Sequence, residues 1–257
     1  MDDNELLAQA AELARGAAAI IMQIRARGFE TLTKSDSSPV TEADHAAEVF
    51  ILEGLRRPPA SGAAAIPVIA EEEVAAGRLV EAGHSFWLVD PLDGTREFTA
   101  GTDNFTVNIG LVRDGRAVLG AVALPAYGQL YLGIVGQGAV RRDASGEHPI
   151  SARTVPEAGL TVLASRHYAN DPALLAYLGT QRIAGMGNIG SAVKFMRVAE
   201  GAADLYPRLG RTMEWDTAAP QAVLEAAGGS VRRFDGTPLE YGKPGFENPH
   251  FICRGRT

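Results

Sequence analysis

Near the start of the chain, in ELLAQAAELARGAAAIIMQIR, the larger apolar residues Leu6, Leu13, Ile20 and Ile24 recur at helical spacing, which predicts an amphipathic helix packed on a core. A second helix is expected through EADHAAEVFILEGLRR, stopping at Pro58-Pro59. The pattern then shortens into strand-like runs. IPVIA leads into Glu71-Glu72-Glu73, and FWLV leads into Asp90. FTVNIGLV and AVLGAVALP read as paired strands around the turn at 113 to 115, followed by QLYLGIVGQGAV. After the polar run RRDASGEHP, 141 to 149, come a strand in TVLAS, helices in DPALLAYLG and SAVKFMRVAEGA, and a strand in ADLYP. A helix in TAAPQAVLEAAGG closes at Gly228-Gly229, and a short strand ends the chain. The polar run is the expected boundary between an α+β half, 1–145, and an α/β half, 146–257.

The chain has 257 residues, of which 46% are hydrophobic and 21% charged, the balance of an ordinary globular protein with a sizeable core. A formal net charge of −7 argues against a nucleic-acid polymer as partner. It leaves an anionic small molecule open, because bound divalent cations invert the local field. The single cysteine, Cys253, excludes an internal disulfide and reads as a buried apolar residue. GAAAIIMQI is too short to span a bilayer, and acidic residues precede it instead of a basic leader. The expected location is the cytoplasm, free or peripheral on the inner face of the membrane.

The candidate chemistry lies in the carboxylates. Glu71 and Glu72 close one apolar run, Asp90 closes another, Asp93 follows it, and Asp216 opens the helix of MEWDTAAP. The five histidines (45, 84, 148, 167, 250) never form close pairs, which disfavours a zinc site of His and Cys. An all-oxygen donor set suits Mg²⁺, Mn²⁺ or Ca²⁺. Asp90 and Asp93 flank a tight turn, so one metal could sit between them, with the Leu92 carbonyl pointing into the same space. Gly94-Thr95 adds consecutive backbone N–H groups, an anion-binding concavity. Metals beside such a nest describe a phosphoester site. The glycines of GIVGQGAV superficially suggest a dinucleotide fingerprint, but they lie in a β-rich stretch with no long helix after them.

DPLDGT, with VTEAD at 40 to 44, AEEE at 70 to 73 and EWDTAA at 214 to 219, resembles the lithium-sensitive, magnesium-dependent phosphatase superfamily of inositol monophosphatase. DGTREF, FTVNIGL, GSAVKFMRVAEGAADLYPRLG and WDTAA are closer to its bacterial 3′(2′),5′-bisphosphate nucleotidase branch, the CysQ type. The resemblance implies a layered α-β-α-β-α sandwich, with the metal site in the N-terminal half and substrate contacts and the last metal ligand in the C-terminal half. It implies two or three Mg²⁺ ions. Glu71, Asp90 and the Leu92 carbonyl would hold the first, and Asp90, Asp93 and Asp216 the second, with Glu71 reaching a third through water. Thr95 with Glu71 would orient and deprotonate the attacking water, Asp44 would hold the Thr95 hydroxyl, and Leu92, Asp93, Gly94 and Thr95 would cradle the phosphate. Arg96, Ser191 and Lys194 are candidates for a second phosphate.

Each of these residues also has a plainer reading. Thr41 to Asp44 fits a helix capping box. Asp216 fits an N-cap with Pro220 in the first turn, and Lys194 and Arg96 fit a solvated face. Departures from the family pattern are Ala70, where many relatives have Ser or Gly, and a third acid, Glu73, expected as a solvated neighbour. GMGNIG, 185 to 190, matches no motif. The expected function is hydrolysis of 3′-phosphoadenosine 5′-phosphate to AMP and phosphate, which clears a by-product of sulfate assimilation. Inositol or sugar monophosphate hydrolysis, and a catalytically silent metal- or nucleotide-binding relative, are the alternatives. Monomer and homodimer are both open.

Overall fold

A computed structural model describes residues 1–33, 39–57, 65–78, 81–164, 172–179 and 181–256. Helix α1 spans Asp3–Arg27 and starts on a reciprocal cap, Asp2 accepting from the Glu5 N–H and Glu5 from the Asp2 N–H, both at 2.9 Å. A short hairpin, β1 (Thr31–Thr33) and β2 (Pro39–Thr41), leads into α2 (Glu42–Leu55). The Pro58-Pro59 stop expected after α2 lies outside the described residues, as does His167.

β3 (Val68–Ala70) runs directly into the single-turn α3 (Glu71–Ala75), and β4 (Ser85–Asp93) into the equally short α4 (Thr95–Thr99). β5 (Thr106–Arg113) and β6 (Arg116–Leu124) pair across Asp114-Gly115, both at positive φ, the two-residue turn that matches strand twist. β7 (Gln129–Ile134), β8 (Gly138–Asp143) and β9 (Gly146–Ile150) complete a seven-stranded sheet in the order β3-β4-β5-β6-β7-β8-β9. The polar run 141 to 149 therefore lies in the β8–β9 hairpin, and the chain leaves this sheet only after Ile150.

The second sheet holds five strands in the order β11-β10-β12-β14-β13. They are β10 (Leu160–Ala164), β11 (Ile183–Asn188), β12 (Leu205–Arg208), β13 (Ser230–Arg233) and β14 (Phe251–Arg254). Between them come α5 (Pro172–Leu178), α6 (Val193–Ala199) and α7 (Glu214–Ala226). GMGNIG, unassigned in the sequence, is most of β11 and the loop after it. Glycines inside an edge strand carry no β-propensity signal.

The layers follow from three cores. Ala14, Ile21 and Ile51 of α1 and α2 bury against Val89, Ile109 and Leu119 on one face of the large sheet. Phe86, Leu88 and Val122 on its other face meet α6 and α7, and these helices cover Tyr206, Phe251 and Cys253 of the second sheet. Leu174 and Leu178 of α5 close that sheet's far face over Val162 and Ile252. The result is the α-β-α-β-α sandwich.

Cross-strand glycines let α7 sit directly on the large sheet. A Cβ at Gly110 would stand 2.5 Å from the Ala219 nitrogen, and one at Gly120 would collide with the Ala219 carbonyl. This close approach carries the first turn of α7, with Asp216, to the end of β4.

Candidate active site

A bulge explains the DPLD spacing. On β4, Asp90 pairs with Asn108 and Asp93 with Thr106, so three steps on one strand face two on the other. Without the extra residue, Asp93 would point to the opposite face from Asp90; with it, both share the α7 face. Leu92 buries its side chain in the α1–α2 core, and its backbone N–H donates to Asp90 Oδ1 at 3.0 Å. Gly94 then turns at φ 93°, and a Cβ there would lie 2.9 Å from the Asn104 carbonyl and 3.1 Å from Ser191 Cβ. Only glycine permits this turn while admitting Ser191 beside it.

Four carboxylates meet electrostatically at this corner. Asp90 is 1% exposed, and burial, then Glu71, Asp93 and Asp216, push its pKa well above the usual aspartate range. Burial lifts Asp216 to about 8, with Asp93 and Glu71 adding to the rise and the Met213 N–H, at 2.9 Å, opposing it. Burial likewise raises Asp93 to about 6, held down by Lys194, by the Ala192 N–H at 2.5 Å and by Arg208. Such mutual repulsion in a buried corner calls for cationic compensation.

The donor chemistry fits a hard divalent cation: carboxylates plus the Leu92 carbonyl, all oxygen. Among the described residues no three of these side chains converge on one point at ligating distance. The fit therefore rests on donor type and mutual charge rather than on a finished cage. Asp216 is the third residue of α7, not its N-cap, and Pro220 lies beyond the first turn.

Asp44 joins the helix cap to the site. Its Oδ2 accepts from the Thr41 N–H at 2.7 Å and the Thr41 hydroxyl at 2.8 Å, the capping box read in the sequence. Its Oδ1 accepts from the Thr95 hydroxyl at 3.0 Å, so one side chain makes both the cap and the expected contact to Thr95.

A cavity of about 180 Å³ opens over Asp93 and Asp216, walled by Gly94, Ser191, Lys194 and Arg208, with Arg96 exposed at its rim. Lys194 is not a solvated lysine. It is 2% exposed, its Nζ donates to the Ile189 and Ser191 carbonyls at 3.0 and 2.7 Å, and it lies 5.0 Å from the centre of the Tyr206 ring. Burial lowers its pKa to about 8 against the pull of Asp93. Ser191 sits at φ 48°, turning its carbonyl toward that ammonium.

Two features went unread in the sequence. Arg208, at the end of β12, lines the cavity and favours the ionised forms of Asp93 and Asp216. Its signal was a basic residue just past the apolar run ADLYP. Glu73 is 8% exposed, not solvated, because Arg56 forks onto it at 3.0 and 2.5 Å and Arg78 joins at 3.3 Å.

With this fold and this corner in view, comparison with known proteins places the chain in a family. The model of the inositol monophosphatase family matches residues 2–251, and the chain belongs to that family. Among curated relatives, the 3′(2′),5′-bisphosphate nucleotidase CysQ of Salmonella typhimurium is 41% identical over 96% of this chain and 98% of its own. The protein of that name from Escherichia coli K12 is 39% identical over the same shares. Among solved structures, CysQ from Bacteroides thetaiotaomicron, a bacterial member of the family, superposes with a TM-score of 0.81 at 30% identity, covering 98% of each chain. Inositol monophosphatase from Anabaena superposes at 0.76 with 27% identity, over 98% of this chain and 91% of that one.

Proposed function

We propose that this chain is a Mg²⁺-dependent 3′(2′),5′-bisphosphate nucleotidase that converts 3′-phosphoadenosine 5′-phosphate to AMP and phosphate. The observation that carries the reading is its similarity, over nearly the whole length, to curated nucleotidases of that name. The cationic wall of Lys194 and Arg208, in the cavity over Asp93 and Asp216, supports an anionic substrate with more charge than one phosphate. The same reading assigns a cytoplasmic location, a role in clearing a by-product of sulfate assimilation, and inhibition by millimolar lithium. No described helix is long and apolar enough to cross a membrane.

Glu71, Asp90, Asp93, Asp216 and the Leu92 carbonyl would hold two or three Mg²⁺ ions. When bound, these would neutralise phosphoryl oxygens and lower the pKa of water. The Thr95 hydroxyl donates to Asp44, which turns its lone pairs outward to accept a proton of the attacking water, while Glu71 accepts the other as general base. The N–H groups opening α4 after Gly94 have no partners within the helix and would cradle the phosphoryl group. Arg96, Ser191 and Lys194 with Arg208 would take the unreactive phosphate.

A phosphomonoester panel tests this. The expected result is at least about a tenfold preference in kcat/KM for 3′-phosphoadenosine 5′-phosphate over inositol 1-phosphate, consistent with one charge-assisted contact of about 1.5–3 kcal/mol. EDTA should abolish all turnover. A reversed preference would move the chain to the inositol or sugar monophosphate branch with the metal chemistry intact. Absence of turnover on every phosphoester would favour a silent relative.

A further inference from the structure

One buried carboxylate near the site has no part in the chemistry above. Glu48 lies in α2, is 5% exposed, and accepts the Glu72 backbone N–H at 2.8 Å. That N–H belongs to the first turn of α3, where backbone donors have no helical partner. The residue that would ordinarily cap such a turn is Ala70, which has no side-chain acceptor and makes no cap hydrogen bond. Glu48 supplies the cap from a different helix.

The placement of Glu48 on α2 gives this contact a consequence. Asp44 and Glu48 are one turn apart, so they share a face of α2. Asp44 holds the Thr95 hydroxyl at 3.0 Å, and Glu48 holds the turn that begins with Glu71. A second tie runs parallel, the fork of Arg56, at the end of α2, onto Glu73. The two glutamates after Glu71 are thus fastened to α2, one by its backbone and one by its side chain. Glu71 remains the member of the triplet that meets Asp90.

We propose that Glu48 is a positioning residue for Glu71: by capping α3 from α2 it fixes the Glu71 carboxylate relative to Asp90 and to Thr95. It touches neither metal nor substrate, and it acts through a neutral requirement, an acceptor oxygen at the Glu72 N–H. The proposal rests on the assignment of Glu71 as metal ligand and base, so its test separates metal binding from turnover.

The experiment titrates Mn²⁺ into metal-free protein, following free Mn²⁺ by electron paramagnetic resonance, alongside steady-state kinetics in Mg²⁺. Glu48→Ala should weaken Mn²⁺ binding by about tenfold or more, the scale seen when a group orienting a ligand is lost. It should lower kcat while KM for the nucleotide stays within about twofold. Glu48→Gln keeps an acceptor oxygen and should restore Mn²⁺ affinity to within about threefold of the parent protein. Glu48→Asp, a methylene shorter, should behave like Glu48→Ala and covers the case in which the alanine variant does not fold.

Unchanged Mn²⁺ affinity in folded Glu48→Ala or Glu48→Asp would overturn the proposal, whatever the change in Tm. So would equal damage in Glu48→Gln and Glu48→Ala, which would make the charge essential, as in a ligand. Parent protein that binds no Mn²⁺ would overturn both this role and the metal site beneath it. A parent that binds Mn²⁺ but prefers inositol phosphate would revise only the substrate.

Discussion

The Thr95 hydroxyl has one proton and two acceptors in reach, Asp44 Oδ1 at 3.0 Å and the Leu92 carbonyl at 3.1 Å. If the Leu92 carbonyl is a metal ligand, the proton is left to Asp44, and the hydroxyl lone pairs are then free to hold water. Thr95→Val preserves shape and removes that function, so kcat should fall by about 10²-fold or more with KM and Tm little changed. A loss confined to KM would mean that Thr95 only binds substrate. Asp90 is the shared ligand of the proposed set, and Asn in its place keeps the oxygen that accepts the Leu92 N–H while losing charge. Asp90→Asn should therefore fold and be almost inert in Mg²⁺; more than about a tenth of the parent kcat, roughly 1.4 kcal/mol of barrier, would remove it from the shared position. For the glutamate run, Glu71→Gln should cost about 10²-fold in kcat as the general base is lost. Severe loss from Glu72→Gln with a mild Glu71→Gln would shift the register of the run by one.

At the level of elements, the ends of strands and the starts of helices build the site, and this decides what the sequence could show. Apolar runs ending in acids single out Glu71 and Asp90 in the sequence alone, because a carboxylate at the end of a buried strand needs a reason. The bulge that turns Asp93 to the same face, and the glycines that let α7 bring Asp216 close, are properties of strand pairing and leave no local period. Partners distant in sequence stayed hidden likewise, Arg56 for Glu73 and Glu48 for the Glu72 N–H, and so did the near carbonyls of Ile189 and Ser191 that the positive-φ turn at Ser191 brings onto Lys194. The polar run 141 to 149 looked like a junction because a solvated hairpin and a linker share a composition. Lys194 and Arg208 come from α6 and β12, and their separate tasks are testable. Arg208→Gln should shrink the preference for the bisphosphate while hydrolysis of a simple monophosphate is nearly unchanged. Lys194→Met should shrink the preference as well and also lower Tm, because it releases the Ile189 and Ser191 carbonyls. An unaltered Tm together with equal losses on both substrates would place Lys194 at the reacting phosphate instead.

Over the whole molecule, the acids Glu48, Asp90, Asp93 and Asp216, all shifted upward by burial, tie stability to pH. Burial raises Glu48 to about 7 from 4.5, Asp93 to about 6 and Asp216 to about 8 from 3.8. Each is an acid whose folded form holds its proton more tightly than the unfolded chain does. Between the unfolded and folded values the folded state binds more protons, so stability falls as pH rises through that window. Asp3, Glu73 and Asp204 carry the opposite sign, lowered by Arg113, Arg56 and, against its burial, Arg153. Their stabilisation is fully present above the unfolded carboxylate range and is lost only at lower pH, outside the window. In EDTA, therefore, Tm should decline from about pH 5 to about pH 8. Mg²⁺ held, as proposed, by deprotonated Asp93 and Asp216 would compete with their protons, so its stabilising shift should be small at about pH 5 and largest near pH 8. Thermal melts across this range, with EDTA and with saturating Mg²⁺, measure both slopes. A rising Tm in EDTA, or a Mg²⁺ shift equal at the two ends, would mean that the buried carboxylates are not the groups on which protons and the cation compete.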